Sequence, residues 1–466
     1  MTDFELAITS GGDERIELKE NGLNKYFLNP NDSDSILSRA SCTCSPLSND
    51  VKARVKAVYK MITSEEASLE DIRIKQRYRM KALLKNSSST DFNIFFAPSG
   101  SDLCYYPLLF SKITNGDKPI ISLITRPEEL GTGSILANTG RYHAEKTQIK
   151  PTTVKGDSIM NGLNVEHVLF PARTAEGNVI DHKKKIYETI NQYRDSHSII
   201  VNLVIGSKSG IEDSVSIIKD GPDDVTWVID LCQMRARPKL FNELLAANCL
   251  LMITGSKFYQ SPPFCGALLV PESFAEGIMK ANIEQEAVDG FDTVYSKYDI
   301  PPSYRKLRSL FKTHENIGLT LRWEAAICET EKLSQYTERE ATFAISNWNR
   351  RLIDYFDTKD CFELLPDQDL TNNSILSIKV KGSNGYFDAD ALKRLYEHLV
   401  TRGHEYQDRF SKLTIGQPVT YGEHAFVRFA LGSTNVRELI ESNHDMSNDF
   451  LLIDVLEKIS KIIDAK

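Results

Sequence analysis

Short apolar runs alternate along the chain with segments of helical length, the rhythm of a mostly parallel sheet covered on both faces. The runs are Phe92 to Ala97, Pro119 to Ile124, Val165 to Phe170, Ile199 to Ile205, Trp227 to Asp230, Leu250 to Ile253 and Gly266 to Val270. Each is short enough to be a buried strand. His182 to Arg194 and Lys239 to Ala247 have helix length between them, and the last two runs, split only by Gly255 to Cys265, suit an antiparallel pair. Ahead of the runs, Gly11-Gly12, Asn21-Gly22 and Asn29-Pro30-Asn31-Asp32 are turn signals in a polar stretch that reads as an arm. From Pro46 a helical pattern places Val51, Val55, Val58 and Tyr59 on one face. Beyond Pro301-Pro302 the pattern is helical from Ser303 to about Tyr355. It is followed by strands at Ile375 to Val380 and Phe426 to Leu431 and helices at Asp388 to Arg402 and Asp449 to Ile463. The organisation expected is an arm and substrate loop over 1–45, a three-layer αβα domain over 46–305, and a linking helix with a smaller α+β domain over 306–466.

At 466 residues with 41% apolar positions, the chain can build a large packed core. The net charge of −8 argues against nucleic acid, which calls for clustered Lys and Arg. Met1 to Ser10 carries acidic residues and no sustained apolar core followed by small residues, and the run Leu244 to Ile253 is interrupted by Asn248 and too short to span a bilayer. Eight cysteines lack the spacing of a disulfide framework. A cytoplasmic enzyme with no membrane or nucleic-acid partner is therefore expected.

Candidate chemistry collects at the ends of the runs. Pro98-Ser99-Gly100-Ser101-Asp102 joins a strand to a helix, where unused backbone N–H groups favour an anion such as phosphate, although such turns also serve as plain helix caps. Lys257 follows a strand within Thr254-Gly255-Ser256-Lys257; if partly desolvated, its amine could act as nucleophile or base, the alternative being a side chain that reaches out to water. Asp230 ends a neighbouring strand, and its carboxylate could hold a proton on a heteroaromatic nitrogen beside Lys257. Polar groups delivered to the carboxyl ends of adjacent strands in an open α/β sheet meet in one crevice. Cys42-x-Cys44 has no second Cys/His pair at ligand spacing, so no metal site is expected.

Asp230-Leu-Cys-Gln233 and, 27 residues after Asp230, the turn at Lys257 with its return strand Gly266-Ala-Leu-Leu-Val270 resemble the pyridoxal-phosphate enzymes of fold type I, specifically the class V aminotransferase and cysteine desulfurase group. The resemblance runs over about residues 40 to 435. It implies pyridoxal 5'-phosphate (PLP) as cofactor, an amino acid as substrate and a homodimer. By the same resemblance Lys257 forms the Schiff base, Asp230 pairs with the pyridinium nitrogen, Gln233 bonds the phenolic oxygen, and Gly100, Ser101, Asp102 and Ser256 receive the phosphate. Arg428 stands where relatives bind the α-carboxylate, with a surface arginine as the alternative, and Ser41 to Pro46, including Thr43, corresponds to the loop lining the substrate pocket. Where relatives stack a histidine on the ring, this chain has Arg126-Pro-Glu-Glu-Leu-Gly-Thr-Gly133, so Glu129 or Leu130 is expected there. An aminotransferase is expected first, a lyase that eliminates or cleaves a C–S bond second, and a non-catalytic relative third. Neither Cys328 nor Cys361 stands on a loop suited to a desulfurase nucleophile. Arg235 and Arg237 suit either an acidic substrate group or a helix cap.

Overall fold

The computed structural model describes residues 2–32, 35–41, 44–85, 90–365, 372–421 and 424–465. All seven apolar runs join one sheet, in the order Phe92–Ala97, Gly266–Pro271, Leu250–Thr254, Val225–Asp230, Ser198–Val204, Ile120–Thr125 and Val165–Phe170. Only Gly266–Pro271 runs antiparallel to its neighbours. The other adjacent pairs are parallel.

Side chains that alternate along a strand point to opposite faces, and here they feed two separate cores. Phe92, Ile94, Phe96, Ile121, Leu123 and Ile229 pack with the helices Lys183–Tyr193, Pro238–Ala246 and Ile317–Leu333. Phe95, Ala97, Ile120, Val228 and Leu268 pack on the other side with Tyr105–Asn115 and Glu272–Lys280. A strand with both faces covered has no solvent side, which is why the inner runs read as apolar, whereas the edge strand Val165–Phe170 exposes Glu166 and His167.

A second sheet holds Lys412–Tyr421, His424–Ala430, Ile375–Gly382, Gly385–Tyr386 and Phe362–Leu364. Its far edge is Ile36–Arg39 from the start of the chain, parallel to Lys412–Tyr421. Arg39 locks that edge in place: its Nε and Nη2 donate to the Asp449 carboxylate at 2.6 and 2.7 Å, and Trp348 Nε1 donates to the same group at 2.8 Å.

Two expectations change. The helical stretch after Ser303 is three helices, Arg305–Ser309, Ile317–Leu333 and Glu338–Phe356, because Asn316 and Thr337 each cap a new start with their side chains. The polar arm is built into the domain rather than standing ahead of it. Arg322, fully buried, donates to the carbonyls of Ile8 and Ser10 at 2.9 and 2.7 Å and to that of Phe264 at 2.7 Å, while Asn316 Nδ2 donates to Gly11 at 2.6 Å. Backbone carbonyls are paired this way whatever the side chains, so a polar segment can be held without an apolar stripe.

The return strand also sets the position of the turn at Gly100. A Cβ on Gly266 would lie 2.5 Å from the Ser99 carbonyl oxygen, closer than any real contact. We expect Gly266→Ala to lower stability by about 1–3 kcal/mol through forced backbone movement. Urea unfolding of the purified variant measures this, with a midpoint equal to wild type as the contrary result.

Candidate active site

Gly100, Ser101, Glu129, Asp230, Gln233, Ser256, Lys257 and Arg428 line a single cleft. They arrive from separate elements: the strand-to-helix turn after Phe92–Ala97, the short 3-10 turn Pro127–Glu129, the ends of Val225–Asp230 and Leu250–Thr254, and the strand His424–Ala430. Asp102 stands just behind it, accepting from Ser99 Oγ at 2.7 Å and facing His143 Nε2 at 3.0 Å. Thr43 lies outside the described residues.

One end of the cleft suits an anion. The N–H of Asp102 is taken by Ser99 Oγ at 3.2 Å, whereas those of Gly100 and Ser101 donate to no described protein group. A Cβ at position 100 would lie 3.1 Å from both Cys232 Sγ and Thr254 Cγ2, so a side chain there would make both neighbours give by a few tenths of an ångström. Ser101 and Ser256, both with hydroxyls, also line the cleft.

In the middle, Asp230 accepts from the Cys232 N–H at 2.8 Å. Burial raises its pKa, opposed by that N–H and by the positive charges of Lys257 and Lys208. A buried carboxylate of this kind gains from a cationic N–H partner. Gln233 is buried and its carbonyl accepts from Phe258 N at 3.3 Å, tying its loop to the one that carries Lys257. Burial and the adjacent Asp230 push the Cys232 thiol well up, so the sulfur beside Asp230 is no thiolate. Burial likewise raises Cys328 and Cys361, which fits neither being a nucleophile.

Glu129 reaches the cleft wall and is held from several sides. Its carboxylate accepts from Ser207 Oγ, from Ser209 Oγ at 2.6 and 2.7 Å and from Ser209 N at 3.0 Å, with Arg173 Nε at 3.4 Å. Leu130, next to it, packs with Ile124 and Val204 and also lines the cleft. Arg428 is buried; its Nε and Nη2 donate to Gln417 O at 3.1 and 2.6 Å and its Nη1 to Lys208 O at 3.3 Å. It is not a surface arginine. Arg235 is a tie between segments: it donates to Ser374 Oγ, Leu431 O and Ser41 Oγ at 2.6, 2.7 and 2.9 Å. Arg237 is the residue before the helix Pro238–Ala246.

Among the lining residues that escape a reading of the sequence are Arg15, Tyr26, Lys208 and Phe264. Phe264 lies inside the Lys257 motif, but nothing around Arg15 or Tyr26 marks them. Their place depends on the arm being pinned by residues some 300 positions away. The Phe264 ring is met by the Arg15 guanidinium at 4.6 Å and, edge-on, by Tyr26 at 6.1 Å. His143 is also unanticipated; it returns from a distant loop to Asp102 rather than to the cleft wall. Asp13, Asp102 and His143 offer ligand atoms within 4.8 Å of one another. Both Asp13 oxygens are already bonded by Arg15, at 2.8 and 2.6 Å, so a guanidinium supplies the positive charge there and we assign no metal.

No family model and no curated protein matches the chain. Solved structures do. A ureidoglycine-glyoxylate aminotransferase from Bacillus subtilis aligns over 91% of this chain and 92% of its own at a TM-score of 0.54 and 12% identity. The cysteine desulfurase CsdA from Escherichia coli aligns over 91% and 94% at 0.55 and 13%. Oryza sativa TDC with PLP aligns over 94% and 85% at 0.53 and 12%. The chain has the type I fold of pyridoxal-phosphate-dependent enzymes. In a type I fold the carboxyl ends of the parallel strands are where the ligand crevice forms, which is where Asp230 and Lys257 lie. At such identities the likeness speaks for the fold alone. Among the described residues no helix is long and apolar enough to cross a membrane.

The buried Asp13–Arg15 ion pair beside the cleft has a measurable consequence. Burial works against the Asp13 charge, but Arg15 outweighs it and lowers the Asp13 pKa from 3.8 to about 2. A depressed native pKa adds stability that is complete above the unfolded value and lost as pH falls towards the native one. Between pH about 4 and about 2, wild type should therefore lose about 2 kcal/mol that Asp13→Asn does not lose. Chemical denaturation across that window checks it; parallel curves for the two proteins would contradict it.

Proposed function

We propose that the chain is a PLP-dependent enzyme acting on an amino acid, with Lys257 carrying the cofactor and moving the proton at the substrate's α-carbon. The observation behind this reading is the meeting, in one cleft, of an anion-receiving turn at Gly100 and Ser101, a half-buried carboxylate at Asp230 and the amine of Lys257. When bound, PLP supplies an electron sink for bond cleavage at the α-carbon.

The residues present fit that group. Gly100 and Ser101 N–H with the Ser101 and Ser256 hydroxyls would hold the phosphate, and Asp102 orders their turn through Ser99. Asp230 would keep a proton on the ring nitrogen; its own raised pKa is a cost that such a cationic partner relieves. Gln233 would bond the phenolic oxygen. Leu130, Val204 and Phe264 give the cleft apolar lining, beside which charge interactions are stronger than in water. Arg428, made rigid by its bonds to Gln417 and Lys208, would orient the substrate carboxylate. Lys257 Nζ is then the group placed to take the α-proton and return it elsewhere.

Transamination asks only for such a base that removes a proton at one carbon and delivers it to another, and it is our first assignment. A lyase reaction is the second, favoured by the cleft wall: Glu129 and Leu130 stand there, and no histidine is among the described lining residues. A homodimer in the cytoplasm belongs to the same proposal.

Lys257→Ala should reduce turnover about 10²–10⁴-fold, the usual weight of a positioned general base or more. The two reactions separate on a panel of amino acids assayed for keto-acid-dependent amino transfer and for release of ammonia or sulfide. Amino transfer abolished by Lys257→Ala supports the first assignment; ammonia or sulfide alone moves the enzyme to the second. A panel without turnover in wild type sinks both.

A further inference from the structure

The N-terminal segment places a guanidinium in the cleft that none of the roles above uses. Arg15 is more than nine-tenths buried, lines the cleft and is fixed on one edge: Nε donates to Asp13 Oδ1 at 2.8 Å and Nη2 to Oδ2 at 2.6 Å. Its flat face covers the Phe264 ring. Phe264 is held in turn by Arg322, which also holds the carbonyls of Ile8 and Ser10. Rotation about the side-chain bonds is thus restrained at both the head and the backbone. Nη1 forms no hydrogen bond with any described residue.

The charges lining the cleft sharpen what that nitrogen is for. The cations are Arg15, Lys208, Lys257 and Arg428, and the anions are Glu129 and Asp230. Glu129 is satisfied by Arg173 and two serines, and Lys208 Nζ donates to the Glu128 carbonyl at 3.3 Å. If Lys257 and Asp230 serve the cofactor and Arg428 the α-carboxylate, Arg15 remains. Asp13 cancels its net charge but occupies only the Nε and Nη2 edge. What Arg15 offers is a pair of directed N–H donors on a fixed fork, the geometry that recognises an acid group.

We propose that Arg15 is a specificity residue and that the substrate is an α-amino acid whose side chain ends in an acid group. The inference rests on the reading of the cleft as a PLP site. It assigns the arm a task in substrate choice: Arg15 and Tyr26 bring part of the arm into the lining of the cleft.

The test uses the full chain loaded with PLP and compares acid and neutral partners of similar size: aspartate with asparagine, glutamate with glutamine, phosphoserine with serine. Binding is followed as the amino-acid-dependent change in the cofactor's visible absorption, and turnover as KM and kcat. Wild type should favour at least one acid over its partner by about tenfold or more, the worth of a charge-assisted hydrogen bond in a desolvated site. The pair that shows it names the acid as carboxylate or phosphate. Arg15→Gln and the charge-balanced double variant Asp13→Asn with Arg15→Gln should keep the cofactor absorption and lose that preference, with the loss falling on KM more than on kcat. The double variant guards against a fold weakened by a stranded Asp13 carboxylate, and wild type alone decides if both variants fail to fold. Equal binding within every pair, or a preference that survives in the folded variants, overturns the role of Arg15 while leaving the cofactor reading standing. Wild type with no visible cofactor absorption overturns the cofactor reading and this proposal with it.

Discussion

Asp230 holds a carboxylate at the end of a strand where it directly follows the fully buried Val228 and Ile229, and much of the surrounding structure answers to that cost. The strand lies near the centre of the sheet, with Leu250–Thr254 on one side and Ser198–Val204 on the other, so its end opens onto a crevice instead of bulk water. One backbone N–H, from Cys232, bonds the carboxylate directly, and Lys257 and Lys208 offset the rest through space. A charge kept where burial disfavours it is a strain that folding alone has no reason to retain. On the reading proposed above, a ring nitrogen that must stay protonated would give it one.

The same reasoning extends outward. The antiparallel strand Gly266–Pro271 brings the turn at Ser99 and Gly100 against Thr254 and Cys232, so the anion-receiving end and the carboxylate are set at a fixed separation by backbone packing. Around them, polar side chains act mostly as ties between backbone segments. Arg322 joins the arm to Phe264, Arg235 joins Ser41 to the C-terminal sheet, and Arg428 joins two strands and the loop at Lys208. Arginine suits this work because five donors on one plane satisfy several carbonyls at once.

Those ties explain what a reader of the sequence can and cannot see. The inner strands are legible because a doubly covered strand is apolar along most of its length, and the pair Asp230 and Lys257 because each follows such a run; the edge strand Val165–Phe170 is legible only by its valines and its apolar end. Ser303 to Tyr355 looked continuous since its apolar spacing persists through the breaks; the interruptions are capping events at Asn316 and Thr337. Ile36–Arg39 gave no strand signal because its four residues are stabilised by pairing with Lys412–Tyr421 and by Asp449, neither of which is local. Arg15 and Tyr26 were invisible for the same reason, as polar residues among turn signals whose meaning is set by contacts across most of the chain. Thr43, assigned to the substrate loop by resemblance, falls outside the described residues.

The central claim is that Lys257 is the residue that carries PLP at the end of the Asp230 strand. Borohydride reduction of the PLP-loaded protein, followed by peptide mass mapping, tests it most directly. The account predicts a pyridoxyl group fixed to the peptide containing Lys257 and to no other. A label on a different lysine, or none on a protein that has taken up the cofactor, would contradict it.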